Sequence, residues 1–389
     1  MTDTLILLEE IERPKKIFPN TLQKLARHFW HSEQNKNIIK FADTLETLPN
    51  VEVVCILDEK KHPIGIIQRE KIFSLLSKRF GRDLMIRDTV KDRCEQALIF
   101  SGQSNIIIIQ ERIREMARQN EYIVLVDSEG VFSGILSFRD LADYMVDMTN
   151  EDIALASLLQ ERFLSNVDKI DSLNMEIDSW WMSAKGVGGD FYFIKKITET
   201  KFFASLCDVS GKGVSAALVV SVVWGFMSGY GMQKGLKDLL SRLNELVVSS
   251  FHMEKYLTGF FILYDSLTHR LHIADMGHAH SLFLRKDKVL PLKRTRVNLP
   301  IGVEVEIEPV VYSIEVENGD ILLIYSDGIP EQDNPEGEEF GEDRIIALTK
   351  KASETGENLS KILTKSIDEW KGNSPQRDDM TFIQFKFQK

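Results

Sequence analysis

Apolar residues in the first third of the chain fall into short branched runs that recur. VCILDEKKHPIGIIQREK (54–71) aligns without a gap on IVLVDSEGVFSGILSFRD (123–140), which sets Asp58 against Asp127 and Gly65 against Gly134, 69 positions apart. Each copy predicts a strand of Val, Ile and Leu, a polar turn at DEKK or DSEG, a second strand, and a helix opening at REKIFSLL or RDLADYM. Either half alone is small, so a pseudo-symmetric pair sharing one core is expected. Residues 149–166, TNEDIALASLLQERFLSN, then predict a helix capped by Asn150, with an apolar stripe of Ile153, Leu155, Leu158, Leu159 and Phe163. Two readings of that helix stand side by side: a signalling helix that pairs in a dimer, and a connector packed on a neighbour.

From about Asn174 onward strands dominate, among them FYFIKKI, KFFASLCDV, TGFFILYDSLTHRLHIADM and DILLIYSDG. Two helical stretches interrupt them. One follows Gly213 and continues through LKDLLSRLNELVVSSF; the other is IIALTKKASETGENLSKILTKSIDEW. Strand pairs with helices on their outer faces predict an α/β sandwich. Val214 to Gln233 carries no formal charge and has the length of a membrane span. Its serines and glycines, and the polar turn before it, point instead to a buried core helix.

The 389 residues are enough for two or three domains, and the apolar and charged fractions are those of a globular protein. A net charge of −11 argues against a general nucleic-acid binder. Cys55, Cys94 and Cys207 make neither a disulfide framework nor a CxxC pair, and none has an Arg six positions on, so a cysteine-phosphatase loop is absent. The start of the chain has acids where a signal peptide needs a basic segment, so a reducing cytoplasmic setting is expected.

Four aspartate-bearing motifs lie at expected strand ends or turns: GVGGD (186–190), CDVSGKG (207–213), YSDG (325–328) and RDDMT (377–381). Hard cations such as Mg²⁺ and Mn²⁺ take oxygen ligands and keep several waters, so a few carboxylates from separate strands suffice. Glycines beside Asp190, Asp208 and Asp327 allow tight turns and close backbone approach. Each motif alone is more often a turn than a ligand; four in this order carry the signal. DVSGKG lacks the spacing of a Walker loop, since neither Ser nor Thr follows Lys212. No HExxH or His/Cys cluster supports zinc. The basic run Lys293-Arg294-Thr295-Arg296 reads as a solvated loop or as a steering patch for an acidic phosphoprotein.

GGDFYF, CDVSGKGVSAALVVSVV, MGHAHSLFL, LPIG, LLIYSDGIPEQDNPEGEEFGEDRI and DDMTF together resemble the SpoIIE/RsbU-like branch of the PPM (PP2C-type) phosphatases over residues 174–387. The resemblance implies an α+β chain ending in an αββα sandwich. It implies dephosphorylation of phosphoserine or phosphothreonine proteins by water activated between two Mn²⁺ or Mg²⁺ ions. On that resemblance Asp208 bridges both metals, the Val209 carbonyl serves the second, Asp327 and Asp378 serve the first, and Asp190 joins the metal set indirectly by orienting metal-bound waters. Asp379 ranks below them. Phe193 stands where relatives often have an acid, and Asp275-Met276-Gly277-His278 where they have Asn-Ala-Gly-His. His278 is either a proton donor to the leaving group or a structural histidine at a tight turn. The implied substrate is a phosphorylated STAS-type anti-sigma antagonist. A non-enzymatic scaffold and a small-molecule phosphatase are the competing readings.

The N-terminal repeat resembles a tandem CBS pair over residues 15–148, with 149–166 as the linker. Such modules take adenosine nucleotides, and the second copy carries the matching Gly134, Ser137 and Asp140; the first has Gln68 and Lys71 at the last two positions. Asp140 also suits a helix cap. The expected assembly is a soluble homodimer with a regulatory nucleotide, no membrane and no nucleic acid.

Overall fold

The computed structural model describes residues 7–15, 17–109, 120–164, 175–232, 234–292 and 298–388, and the counts below concern these. The chain divides into two compact units, Met1–Asn150 and Glu151–Lys389.

The N-terminal unit holds two sheets that repeat one plan. In the first, β1 (Glu9–Glu10), β2 (Trp30–Glu33), β3 (Val53–Leu57) and β4 (Pro63–Gln68) follow in that order, with β2 parallel to β3 and β3 antiparallel to β4. In the second, β5 (Leu98–Ser101) runs parallel to β6 (Tyr122–Val126), which pairs antiparallel with β7 (Phe132–Ser137). The gapless alignment of the sequence is matched at the β3–β4 and β6–β7 hairpins. A register shift falls between Ile56 and Leu57 in one copy and between Leu125 and Val126 in the other. Oδ1 of Asp58 accepts from the N–H groups of Lys60 and His62, and Oδ1 of Asp127 from those of Glu129 and Val131. Each aspartate thereby closes its own turn. Val53, Cys55 and Ile66 of one copy share a buried cluster with Val124, Phe132 and Ile135 of the other.

The C-terminal unit is a four-layer sandwich. Strands β8 (Met175–Met182), β9 (Asp190–Lys196), β10 (Lys201–Val209), β11 (Leu257–Asp265), β12 (Arg270–Met276), β13 (Ser281–Arg285), β14 (Lys288–Val289), β15 (Tyr312–Glu315), β16 (Ile321–Tyr325) and β17 (Met380–Phe387) build two antiparallel sheets. Their orders are β15-β12-β11-β10-β9 and β14-β13-β16-β17-β8. The apolar run ILLIY of β16 has both faces covered. Leu322 and Ile324 belong to the core between the sheets; Ile321, Leu323 and Tyr325 belong to the core under helices Glu342–Thr355 and Leu359–Lys371. The other sheet is covered by Val214–Gly229 and Gly235–Phe251.

Two expectations about helices change. Val214–Gly229 buries Ala216, Val219, Val220, Val223 and Met227, but exposes Val214, Leu218 and Val222, so it is a core helix on one face only. No described helix is long and apolar enough to cross a membrane. The helix expected from residue 149 is the second half of a continuous helix, Phe138–Leu164, in which Asn150 is interior rather than a cap. Residues 165–166 and the basic run 293–296 lie outside the described residues.

Candidate metal centre

The site is built where the two sheets end together. Asp190 opens β9 and stands directly opposite Asp208 on β10 in the antiparallel register, and such opposed side chains on one sheet face are neighbours. Asp327 follows β16 and Asp378 precedes β17, the two strands being paired from Ile321–Lys386 to Tyr325–Phe382. Gly328 lets these turns touch: a Cβ there would meet the Asp379 carbonyl at 2.0 Å and the Asp378 Cβ at 3.2 Å.

The electrostatics show that the carboxylates feel one another. Burial, then the charge of Asp208, pushes the Asp190 carboxyl well above the ordinary carboxylate range. Burial, then the charges of Asp327, Asp378 and Asp379, pushes Asp208 up to about 7. Desolvation and like charge both favour the neutral form, so this cluster is held together at a cost that a cation would relieve. Asp190 is 3% exposed, and its Oδ2 is buried without a hydrogen-bond partner.

These residues fit a divalent metal: the donors are all oxygen, they come from the ends of four different strands, and one buried carboxylate oxygen is unspent. Among the described residues, however, no three His, Cys, Asp or Glu side chains converge tightly enough to enclose an ion as they stand. Asp378 shows why. Its Oδ2 lies 2.6 Å from Lys212 Nζ, and its Oδ1 accepts from the N–H of Asp379.

Several residues that the sequence ranked low or did not single out fix the loops. Asp379, 5% exposed, accepts from the N–H of Ala184 through Oδ1 at 2.8 Å and from that of Gly189 through Oδ2 at 2.7 Å. It ties the 377–381 turn to the 184–190 loop. Gln160, on the helix Phe138–Leu164, makes a two-way clamp on Gly188: Nε2 donates to its carbonyl and Oε1 accepts from its N–H, both at 3.0 Å. Ser326 Oγ accepts from the N–H of Thr381 at 2.9 Å. No local pattern announces these contacts; they join residues far apart in the chain.

His278 is 5% exposed. Its N–H donates to Asp275 Oδ1, its Nε2 lies 2.9 Å from the Tyr325 carbonyl and its Nδ1 3.4 Å from Thr258 Oγ1, between Gly277 and Ala279, both at positive φ. Of its two sequence readings, the structural one matches this geometry. Asp275 closes the turn by accepting from His278 and Ala279. Phe193 is buried against Phe203 and Trp224.

In the N-terminal unit, Ser137 and Asp140 form a reciprocal helix cap: Ser137 Oγ donates to Asp140 Oδ2 at 2.6 Å, and the Asp140 N–H donates to Ser137 Oγ at 3.0 Å. Asp140 Oδ1 also pairs with Arg27 Nε at 2.9 Å. Gly134 has φ +147, and a Cβ there would press on Ala26 and Phe29, both at 3.0 Å. In the first copy Gln68 is buried and Lys71 pairs with Glu95.

Comparison with known proteins agrees with this architecture. Residues 198–388 match the family described as Stage II sporulation protein E (SpoIIE). Phosphoserine phosphatase RsbU of Bacillus subtilis is 25% identical over 183 residues, 46% of this chain and 53% of that protein. Phosphoserine phosphatase RsbP of the same organism is 24% identical over 186 residues, 46% of this chain and 45% of that one. The chain thus spans about half the length of these relatives. Among solved structures, the SiaA-PP2C domain of Pseudomonas aeruginosa superposes with a TM-score of 0.54 at 20% identity, covering 62% of this chain and 98% of that domain. The C-terminal unit has the PP2C-type fold, and residues 198–388 within it are similar to the SpoIIE family.

Proposed function

We propose that this chain is a divalent-metal-dependent protein serine/threonine phosphatase whose N-terminal unit is a nucleotide-responsive sensor. The observation that carries the catalytic half is the grouping of Asp190 and Asp208 on adjacent strands with Asp327 and Asp378 at the ends of two others, in a domain similar to phosphoserine phosphatases. Asp208, the Val209 carbonyl, Asp327 and Asp378 would hold two Mn²⁺ or Mg²⁺ ions. Such ions supply Lewis acidity and a water of lowered pKa. The chain does the rest. Asp190, buried beside Asp208, orients water toward phosphorus, and Asp379 and Gln160 keep the 184–190 loop in register with the other carboxylates. No Cys or Ser nucleophile is required.

By family resemblance the substrate is a phosphoserine or phosphothreonine protein, with a phosphorylated STAS domain as first candidate. The CBS-like repeat motivates the sensor, with Gly134, Ser137 and Asp140 as the adenosine-nucleotide contacts. The exposure of Leu155, Leu158 and Leu159 on the connecting helix supports pairing in a homodimer.

The deciding experiment is hydrolysis of p-nitrophenyl phosphate and a phosphoserine peptide by the purified chain, with and without Mn²⁺. Metal-dependent turnover is expected, and Asp208→Ala should abolish it. Failure of the parent to hydrolyse either substrate, while folded and Mn²⁺-bound, would favour a binding scaffold; preference for soluble phosphometabolites would move the substrate class.

A further inference from the structure

Lys212 lies in the polar loop between β10 and the helix Val214–Gly229, flanked by Gly211 at φ +93 and Gly213 at φ +74. Its ammonium crosses to the loop of the opposite sheet, 2.6 Å from Asp378 Oδ2 and 3.0 Å from the Arg377 carbonyl. The loop backbone is pinned beside it. Ser210 N–H donates to the Tyr256 carbonyl, the Tyr256 N–H donates to Ser210 Oγ, and Lys255 Nζ donates to the Ser210 carbonyl at 3.0 Å. These contacts hold the backbone at Ser210, two residues before Lys212.

The side chains of Lys212 and Asp378 are 38% and 37% exposed, so the pair stands at the mouth of the carboxylate cluster. An ion pair this open to solvent adds little to folding. Its position matters more. Asp190, Asp208, Asp327, Asp378 and Asp379 gather at this end of the sandwich, and a phosphomonoester arrives there as an anion. An ammonium offers three donors. Here two are directed at Asp378 and the Arg377 carbonyl, which leaves one for an arriving phosphoryl oxygen.

We propose that Lys212 binds the phosphoryl group of the substrate at the mouth of the carboxylate site. This rests on the phosphatase reading above and adds a substrate-contacting residue to it. The alternative is that Lys212 only orients Asp378, and the test separates the two.

The full chain with Mn²⁺ is compared with Lys212→Met and Lys212→Arg. Three quantities are measured: KM for p-nitrophenyl phosphate, the calorimetric Kd of inorganic phosphate for the Mn²⁺-loaded protein, and Mn²⁺ affinity without phosphate by electron paramagnetic resonance. Loss of one charge-assisted hydrogen bond predicts that Lys212→Met weakens phosphate binding and raises KM together, by about tenfold or more. Lys212→Arg should recover most of the loss, and Mn²⁺ affinity should stay within about twofold of the parent. Unchanged phosphate affinity in Lys212→Met overturns the inference, as does a phosphate loss matched by an equal loss of Mn²⁺ affinity. A parent that binds phosphate through Lys212 yet hydrolyses nothing would keep this inference and overturn the phosphatase reading. A parent that binds no phosphate overturns both.

Discussion

Asp208 is the residue whose environment is hardest to justify without a ligand. Burial and three neighbouring carboxylates raise it to about 7, while an unfolded chain would leave it near 4. A folded-state value above the unfolded one means that the folded protein binds the extra proton. The stability linked to that proton is fully present below about pH 4 and is lost as pH rises through about 7. In EDTA, Asp208→Asn should therefore raise the melting temperature at pH 8 by several degrees, and leave it nearly unchanged at pH 4. A melting curve in which the Asn variant is less stable at pH 8 would contradict this. Gly188 makes a second case at the same scale. A Cβ there would lie 2.4 Å from Asp379 Oδ2, so Gly188→Ala must expel the carboxylate from the Gly189 N–H. Two buried polar groups would lose their partner, and a loss of about 1–3 kcal/mol is expected in denaturant titration, together with most Mn²⁺-dependent turnover.

At the scale of elements, the sequence period fixed strand and helix identity where both neighbours agreed. The turns after Asp58 and Asp127, the strands on either side of them and the four aspartate-bearing turns of the C-terminal unit were all legible, because each is a local consequence of side-chain chemistry. The connecting helix was not. Asn150 has good capping chemistry, but no Gly or Pro lies between Phe138 and Leu164, and a capping residue is a preference rather than a stop. The preceding Thr149 bonds back to the Met145 carbonyl inside the continuous helix. Its function was hidden too. Gln160 sits between Leu159 and Glu161 on the helix, and nothing around it points to Gly188, 28 residues on. Because that clamp satisfies a buried N–H and a buried carbonyl at once, Gln160→Leu should cost about 2 kcal/mol or more and lower turnover without altering Lys212 or the carboxylates. Gln160→Glu keeps the acceptor for the Gly188 N–H but turns a carboxylate oxygen toward the buried Gly188 carbonyl, so it should lose thermal stability and activity as well. Equal activity of all three would mean that the 184–190 loop holds itself.

For the whole molecule, the order of repeat, helix and sandwich was readable and the resemblance grouped the four aspartates, whereas the Asp379 anchor was hidden, since Asp379 and the Gly189 it holds are 190 residues apart. Length of separation carries no geometry in a sequence; only the strand register that brings β9, β10, β16 and β17 to one edge supplies it. That register is internal to the C-terminal unit. Its two cores are drawn from residues 164 onward, including Phe202, Phe385, Tyr264 and Phe387 between the sheets and Leu323, Phe340 and Leu363 beneath the outer helices. A fragment 138–389 keeps those cores, the Gln160 clamp and every proposed metal ligand. It should fold cooperatively and keep Mn²⁺-dependent hydrolysis of p-nitrophenyl phosphate. What it lacks is the repeat with Gly134 and Ser137. If adenosine nucleotides bias the full chain between two states, they must bind those states unequally, so any dose-dependent change in turnover measured with the full chain should vanish in the fragment. A nucleotide response that survives removal of residues 1–137 would place the ligand on the sandwich itself, and with it the regulatory site.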